Sequence, residues 1–132
     1  EASACPLLAL PGELHNKILQ QLGPMHRLLL RATCRYFRTI IPPLNLYELL
    51  AAEASRIGME RKLYACSFCH RLRPATCFDD SMKEWARGKG ARDSIKRFCL
   101  DCGVRSPPGR VGYGRGDHIR IKGALFVICF YC

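Results

Sequence analysis

The sequence predicts an α+β protein with a helical first part and a small cysteine-rich second part that ends in a β-hairpin. Three observations support this fold class. Leucine and isoleucine recur at four-residue spacing near the start of the chain, which is typical of amphipathic helices. Three Cys-x-x-Cys pairs follow in the second part, where they could staple a domain too small to be stable on its core alone. Alternating isoleucines and an apolar run near the end indicate two strands.

The first helix is predicted within LPGELHNKILQQLG, residues 10–23. Pro11 suits the first turn of a helix, where its missing N–H is no loss, and Gly23-Pro24 ends the run. The apolar face of this helix consists of Leu14, Ile18 and Leu22.

Residues 25–41 predict two further short helices, with a break near Thr33 and a stop at Pro42-Pro43. Three helices of this length bury little apolar surface by themselves. A binding partner is therefore expected for this part of the chain.

The order of these residues, Leu-Pro, an acidic residue, Leu, a spaced Ile and Leu, and Cys-Arg-x-Phe, resembles the F-box over residues 6–45. The resemblance implies a substrate receptor of an SCF-type cullin–RING ubiquitin ligase, which docks on the Skp adaptor and binds a protein substrate with the rest of its chain. It also implies that Cys34 and Phe37 are interior residues. Met25-His26-Arg27-Leu28 departs from the Asp-Leu that F-boxes commonly carry. The adaptor-facing residues implied by the resemblance are Leu10, Pro11, Leu14, Ile18, Leu22 and Leu28. The alternative is an ordinary amphipathic helical hairpin packed on the second part.

A linking segment, residues 46–63, separates the two parts. Its Ala, Leu and Glu content predicts one helix over residues 45–57. We expect this helix to set the spacing between the two parts.

Cysteine usage indicates metal binding and not disulfides. The count of nine is odd, no basic region with an apolar core stands at the start of the given sequence, and no apolar run approaches the length of about 18 residues that a membrane span requires. We expect a soluble intracellular protein, cytoplasmic or nuclear, whose paired cysteines bind zinc. The chain runs from Glu1 to Cys132, so a trimmed piece with partners beyond either end stays an open alternative. The candidate ligands are Cys66, Cys69, Cys99, Cys102, Cys129 and Cys132.

The spacing of the cysteines excludes three other uses. The gaps of 21 and 26 residues are too long for a six-cysteine binuclear cluster, no eight-ligand cross-brace of the RING type is visible, and the flanking loops do not suit a thioredoxin-type redox pair. CSFCHRLRPATCF followed by RFCLDCG resembles a treble-clef or HNH-like zinc finger, and this resemblance joins Cys66, Cys69, Cys99 and Cys102.

The third pair, Cys129 and Cys132, follows a predicted hairpin with its turn at Lys122-Gly123. The order of the three pairs resembles the tails of F-box proteins of filamentous fungi. Weak candidates for additional ligands are Cys77, His70 and His118. We predict that residues 64–132 form a zinc-binding domain that folds only with its metal.

Positive charge lies mainly in the second part: residues 1–55 carry five Lys/Arg against four Asp/Glu, and residues 56–132 carry sixteen against seven. This excess of positive charge supports an alternative function, that of a zinc-dependent nucleic-acid-binding protein. Dispersed cations around small zinc loops, or a surface for an acidic degron, explain the same composition. No Ser/His/Asp or Cys/His constellation is present, and Asp79-Asp80 is interpreted as a helix start, so no enzymatic activity is expected.

Overall fold

The structure is a computed structural model that describes residues 5–107 and 109–131. The chain divides into two compact units, Glu1–Pro43 and Leu44–Cys132, called the first unit and the second unit below. The first unit is helical, whereas the second combines short helices with two separate two-stranded antiparallel sheets. This confirms the α+β fold class. No helix in the described ranges has the length and apolar character needed to cross a membrane.

The first unit contains three helices, α1 (Gly12–Gln21), α2 (Pro24–Arg31) and α3 (Arg35–Ile40). Pro11 occupies the N-cap of α1, one position earlier than a first-turn proline, and Pro24 opens α2 as its first residue. The predicted break near Thr33 is confirmed.

The interior of the first unit is built around His15, which α1 buries to 2% exposure. Its Nε2–H donates to the carbonyl of Leu7 at 2.6 Å, and its Nδ1 accepts from the Tyr36 hydroxyl at 2.6 Å. The imidazole ring also meets Phe37 edge to face, with centroids 5.7 Å apart. A histidine that uses both ring nitrogens is a well-satisfied buried group, so His15 ties α1 to α3.

The second unit opens with α4 (Leu46–Ala54) and α5 (Arg56–Glu60), where the sequence predicts a single helix. Asn45 and Glu48 form a reciprocal capping box at the start of α4. Ser55 is in extended conformation between the helices; its hydroxyl donates to the Ala52 carbonyl and accepts from the Gly58 N–H. The chain turns at Ser55 because this serine ends one helix and caps the next.

The remaining elements surround a small core. They are β1 (Leu63–Cys66) and β2 (Arg71–Pro74), which form one hairpin, α6 (Leu100–Val104), and β3 (His118–Ile121) and β4 (Ala124–Val127), which form another. Short 3₁₀ turns fill the segment between β2 and α6. One cluster of this core consists of Cys66, Phe78, Met82, Phe98 and Cys99, and the other buried apolar side chains include Leu49, Ala65 and Ile119.

The predicted C-terminal hairpin is present, and its turn is Lys122-Gly123 with φ of +50° and +80°. Two adjacent carboxylates hold it to the rest of the unit. Asp79 accepts the N–H of Arg120 at 2.7 Å, and Asp80 accepts the N–H groups of Lys122 and Gly123 at 3.0 and 2.8 Å. The Gly123 N–H is the main reason that the pKa of Asp80 lies below its ordinary value.

Candidate metal centre

The first cysteine pair forms a knuckle at the tip of the β1–β2 hairpin. Cys66 ends β1 and is fully buried, and the strands pair in a register that sets Cys66 opposite Arg71. The chain reverses through Cys69 to His70, which adopts a positive φ of 51° and donates its N–H to the Cys66 carbonyl. This tight turn directs two sulfur atoms to one side of the hairpin.

The second pair lies at the start of α6. Cys99 is the N-cap of this helix, and Cys102 lies in its first turn. The backbone N–H of Cys99 donates to Sγ of Cys66 at 3.3 Å, which brings the two pairs together.

The sulfur atoms of Cys66, Cys69, Cys99 and Cys102 all lie within 4.8 Å of one another. These are the four cysteines that the zinc-finger resemblance joins, and they lie on a hairpin knuckle and at a helix start. Four thiolates around one point match the tetrahedral coordination of a structural metal site. A metal ion held by all four sulfurs would have no open coordination position.

Arg73 contacts the cluster directly. Its Nη1 donates to Sγ of Cys99 at 3.4 Å and to Oδ2 of Asp101 at 2.8 Å. Burial raises the pKa of the Cys99 thiol, but the Cys102 backbone N–H and the Arg73 guanidinium outweigh it, so the net pKa is lowered.

Cys69 and Cys102 are half-buried, and the pKa of each thiol is raised, in contrast to that of Cys99. Burial raises the pKa of Cys69 to about 11, and burial also raises the pKa of Cys102. Burial and the neighbouring cysteine sulfurs both favour the neutral form of these two thiols. A bound metal ion would supply the missing positive charge and keep all four sulfurs as thiolates.

Not every candidate ligand is near this cluster. Within the described residues, Cys77 and His70 lie outside the group of four sulfurs, and so do the exposed His118 and Cys129. Cys132 lies outside the described residues.

A buried ion pair behind the cluster was not predicted. Arg97 and Glu53 are 0% and 1% exposed, and Nη1 of Arg97 donates to Oε2 of Glu53 at 2.6 Å. The same carboxylate oxygen accepts the N–H of Ala65 on β1 at 2.6 Å. The pair therefore joins α4, the knuckle strand and the segment that enters the second cysteine pair.

Arg97 also holds the knuckle through its backbone. Its carbonyl accepts the Ser67 N–H at 2.8 Å and the Ser67 hydroxyl at 2.7 Å. Its guanidinium donates to the carbonyls of Met82 and Arg87 and lies over the Tyr64 ring. Arg97 is thus a positioning residue for both cysteine pairs.

Comparison with known proteins concerns the first unit and the start of α4. Residues 7–49 match the family model of the F-box domain, so this part of the chain is an F-box domain. An F-box domain indicates an SCF-type substrate receptor that docks on a Skp adaptor, and such proteins are typically adaptors and not enzymes. The comparisons with curated proteins and with solved structures gave no significant match.

Proposed function

We propose that this chain is the substrate-receptor subunit of an SCF-type ubiquitin ligase inside the cell. In this proposal its F-box docks on the Skp adaptor, and its zinc-bound second unit contacts a protein substrate. The observation that carries the proposal is the F-box match at residues 7–49, followed by a second unit in which four cysteines converge.

The exposure of apolar residues in the first unit supports the docking face. His15, Met25 and Phe37 fill its interior, whereas Leu14 is 41% exposed on α1. An apolar face left partly in water is typical of a protein-binding surface. The proposed adaptor-binding residues, all of them partly or fully exposed, are Leu10, Pro11, Leu14, Ile18, Leu22 and Leu28.

Co-purification of the chain with the Skp adaptor tests the docking proposal. Leu10→Ala/Pro11→Ala should abolish co-purification, because it removes apolar contact area from the proposed face. Lys17→Ala, an exposed change on the same helix, is the matched control and should bind like the wild type. Unchanged binding of the double variant would contradict the docking face.

The metal of this proposal is zinc, held by Cys66, Cys69, Cys99 and Cys102. Four sulfur ligands are a common structural zinc shell, and they suit zinc better than the oxygen-preferring calcium and magnesium ions. Cys129 and Cys132 are assigned a second or exchanging role. Zinc content per chain in the three pair-to-Ser variants tests these assignments: changing either of the first two pairs should remove the main zinc ion.

We further propose that the chain has no ubiquitin-transfer activity of its own. A receptor brings two proteins together, so transfer should require added cullin and RING subunits. Self-ubiquitination by the purified chain with only an E1 and an E2 would contradict this assignment.

A further inference from the structure

A basic groove of about 390 Å³ lies beside the cysteine cluster in the second unit, and its lining includes Cys69 and Cys102. Four arginines line it as well, namely Arg71, Arg73, Arg105 and Arg110. Arg73 is paired with Asp101, the one carboxylate of the lining, at 2.8 Å. The other three arginines are exposed, and within residues 5–107 and 109–131 no carboxylate forms an ion pair with them. The groove therefore presents three guanidinium groups to a bound anion.

A cleft of about 630 Å³ adjoins this groove, because Phe68 and Arg110 line both. Three further basic side chains line the cleft, those of His70, Arg87 and Lys96, and no carboxylate of the described residues does. Lys96 is paired with a neighbouring aspartate but keeps 65% of its side chain exposed. Positive charge therefore continues from the groove into the cleft.

An exposed aromatic ring lies on the common wall of the groove and the cleft. Phe68 is 41% exposed, and its ring stacks on Phe98 with centroids 4.9 Å and planes 11° apart. Phe68 belongs to the first cysteine knuckle, and the buried Phe98 directly precedes Cys99, so the backbone of the metal centre holds both rings. Ile95 and Val111 add exposed apolar surface to the cleft. The Phe68 ring is thus a fixed platform on which a flat group can stack.

We propose that the groove and the cleft together bind single-stranded nucleic acid. Phosphodiester groups of the strand face Arg71, Arg105 and Arg110, and a base stacks on the exposed side of the Phe68 ring. Guanidinium groups recognise phosphate through paired hydrogen bonds. This binding activity is additional to the receptor function proposed above and does not depend on it.

The combination of cations and an aromatic platform favours a nucleic acid over other anions. Every unit of a single strand carries one phosphate and one flat base, and this repeat matches two adjoining basic depressions with a ring on their common wall. The carboxylates of an acidic peptide would use the cations but leave the ring without a stacking partner. In a duplex the bases stack on each other, so their faces do not reach the ring.

Fluorescence anisotropy with the full zinc-loaded chain tests the inference without the Skp adaptor, so its failure leaves the receptor proposal untouched. The probes are labelled strands of about ten nucleotides, a length typical of single-strand-binding sites, with one sequence made as RNA and as DNA. The comparison ligands are the matching duplex and an acidic peptide of the same net charge. Both single strands should bind more tightly than either comparison ligand, and the tighter strand identifies the preferred sugar. Equal or tighter binding of the duplex or of the peptide would overturn the inference.

Arg71→Gln/Arg105→Gln should weaken binding of the single strands by roughly tenfold or more, because charge-assisted hydrogen bonds to phosphate are lost. The slope of log affinity against log salt should also become shallower by about 1.4, which is about 0.7 for each lost phosphate contact. The control is Arg56→Gln/Arg61→Gln, which removes the same charge from exposed residues of the second unit that line neither depression. Equal losses in the two variants would show a non-specific charge effect and overturn the inference.

Changes of Phe68 test the stacked base separately from the charges. Phe68→Leu should weaken binding by roughly fivefold or more and leave the salt slope unchanged, because stacking is lost but no phosphate contact is. Phe68→Tyr keeps an aromatic ring and should bind like the wild type. A fluorescent adenine analogue in the strand should be quenched by the wild type and by Phe68→Tyr but not by Phe68→Leu.

Zinc content per chain shows whether each variant keeps the cysteine knuckle, and the arginine variant decides the outcome if Phe68→Leu loses zinc. Quenching that persists in a zinc-loaded Phe68→Leu chain would overturn the stacking arrangement. An unchanged salt slope in Arg71→Gln/Arg105→Gln would overturn the assignment of the groove to phosphates.

Discussion

Arg97 lies two residues before Cys99, and the contacts of its backbone and side chain reach both cysteine pairs and helix α4. In the sequence it is one of many cations in a basic stretch, and nothing local distinguishes it. The ion-pair partner of Arg97, Glu53, is easier to recognise in the sequence, because it falls four residues after Leu49 on the apolar face of a helix. A carboxylate on such a face predicts a buried cation, but the identity of that cation depends on contacts 44 residues away.

Glu53→Ala should destabilise the zinc-loaded second unit by about 3–5 kcal/mol, because it leaves the Arg97 charge buried without its partner. Urea unfolding followed by circular dichroism measures this difference. Glu60→Ala breaks an ion pair with Arg56 whose side chains are 60% and 90% exposed, so this control should cost less than about 1 kcal/mol. Equal effects of the two changes would contradict the assigned role of the buried pair.

Asp79 and Asp80 show how a correct local interpretation can miss a longer-range role. Asp80 does begin a short 3₁₀ turn with Asp79 as its N-cap, as a helix start predicts. The carboxylates also accept backbone N–H groups from the C-terminal hairpin more than 40 residues away. Sequence order alone gives no sign of that pairing.

Asp80→Asn should loosen the hairpin turn, because the charged acceptor of the Lys122 and Gly123 N–H groups is lost. Amide hydrogen exchange at those two residues should become roughly tenfold faster. The pKa of Asp80 is depressed in the folded state, so its stabilisation is complete above the unfolded carboxyl pKa of about 3.9 and is lost only as pH falls through the lower folded value. The difference in protection between variant and wild type should therefore be the same at pH 6 and pH 7. A difference that shrinks within that interval would contradict the assignment.

At the scale of elements, the patterns with strong local signals were predicted well. The helices of the first unit follow from proline and glycine boundaries, and the C-terminal hairpin follows from Lys122-Gly123 between two apolar strands. The break between α4 and α5 was missed, because the composition of residues 45–57 favours one continuous helix. Ser55 overrode that propensity, because it ends α4 and caps α5. Gly58 permits the close approach of α5 to the end of α4.

Gly58→Ala should destabilise the second unit by about 1–3 kcal/mol, as overpacking typically does. A Cβ at this position would overlap the backbone carbonyl oxygens of Ala52 and Glu53, which cannot move without disturbing α4. Gly12→Ala is the control, since nothing lies within 4 Å of the corresponding Cβ on α1. Thermal unfolding of the zinc-loaded chain should show a lower midpoint for Gly58→Ala only, and unchanged midpoints in both variants would contradict the steric argument.

At the scale of the whole molecule, spacing and family resemblance predicted the four cysteines that converge. They did not predict the buried Arg97–Glu53 ion pair that holds the two cysteine pairs in place. The Cys-x-x-Cys spacing fixes the geometry within each pair, whereas the choice among three pairs came from the resemblance to a treble clef. The contribution of α4 could not be predicted from composition. This helix supplies Glu53 to the metal-centre region and belongs to the second compact unit, so its contacts extend beyond the spacing role expected of it.

The two compact units should respond differently to metal removal. The second unit has a buried cluster of five residues, of which two are cysteines of the candidate metal centre. Structural zinc contributes on the order of 10 kcal/mol to such small domains, which is comparable to the whole stability of an ordinary domain. None of the four converging cysteines lies in the first unit. Chelation should therefore unfold the second unit. Adaptor docking should persist, because the proposed adaptor-binding residues all belong to the first unit.

A strong chelator should abolish amide protection in the second unit, while co-purification with the Skp adaptor persists. Cys99→Ser/Cys102→Ser should reproduce this result without chelator, because two thiolate ligands are lost and the remaining pair cannot complete a tetrahedral shell. Cys77→Ser is the matched control, since Cys77 packs against the core but lies outside the group of four sulfurs. Amide protection that survives chelation would show that the second unit does not need its metal. Loss of adaptor binding on chelation would show that docking needs the folded second unit as well as the first.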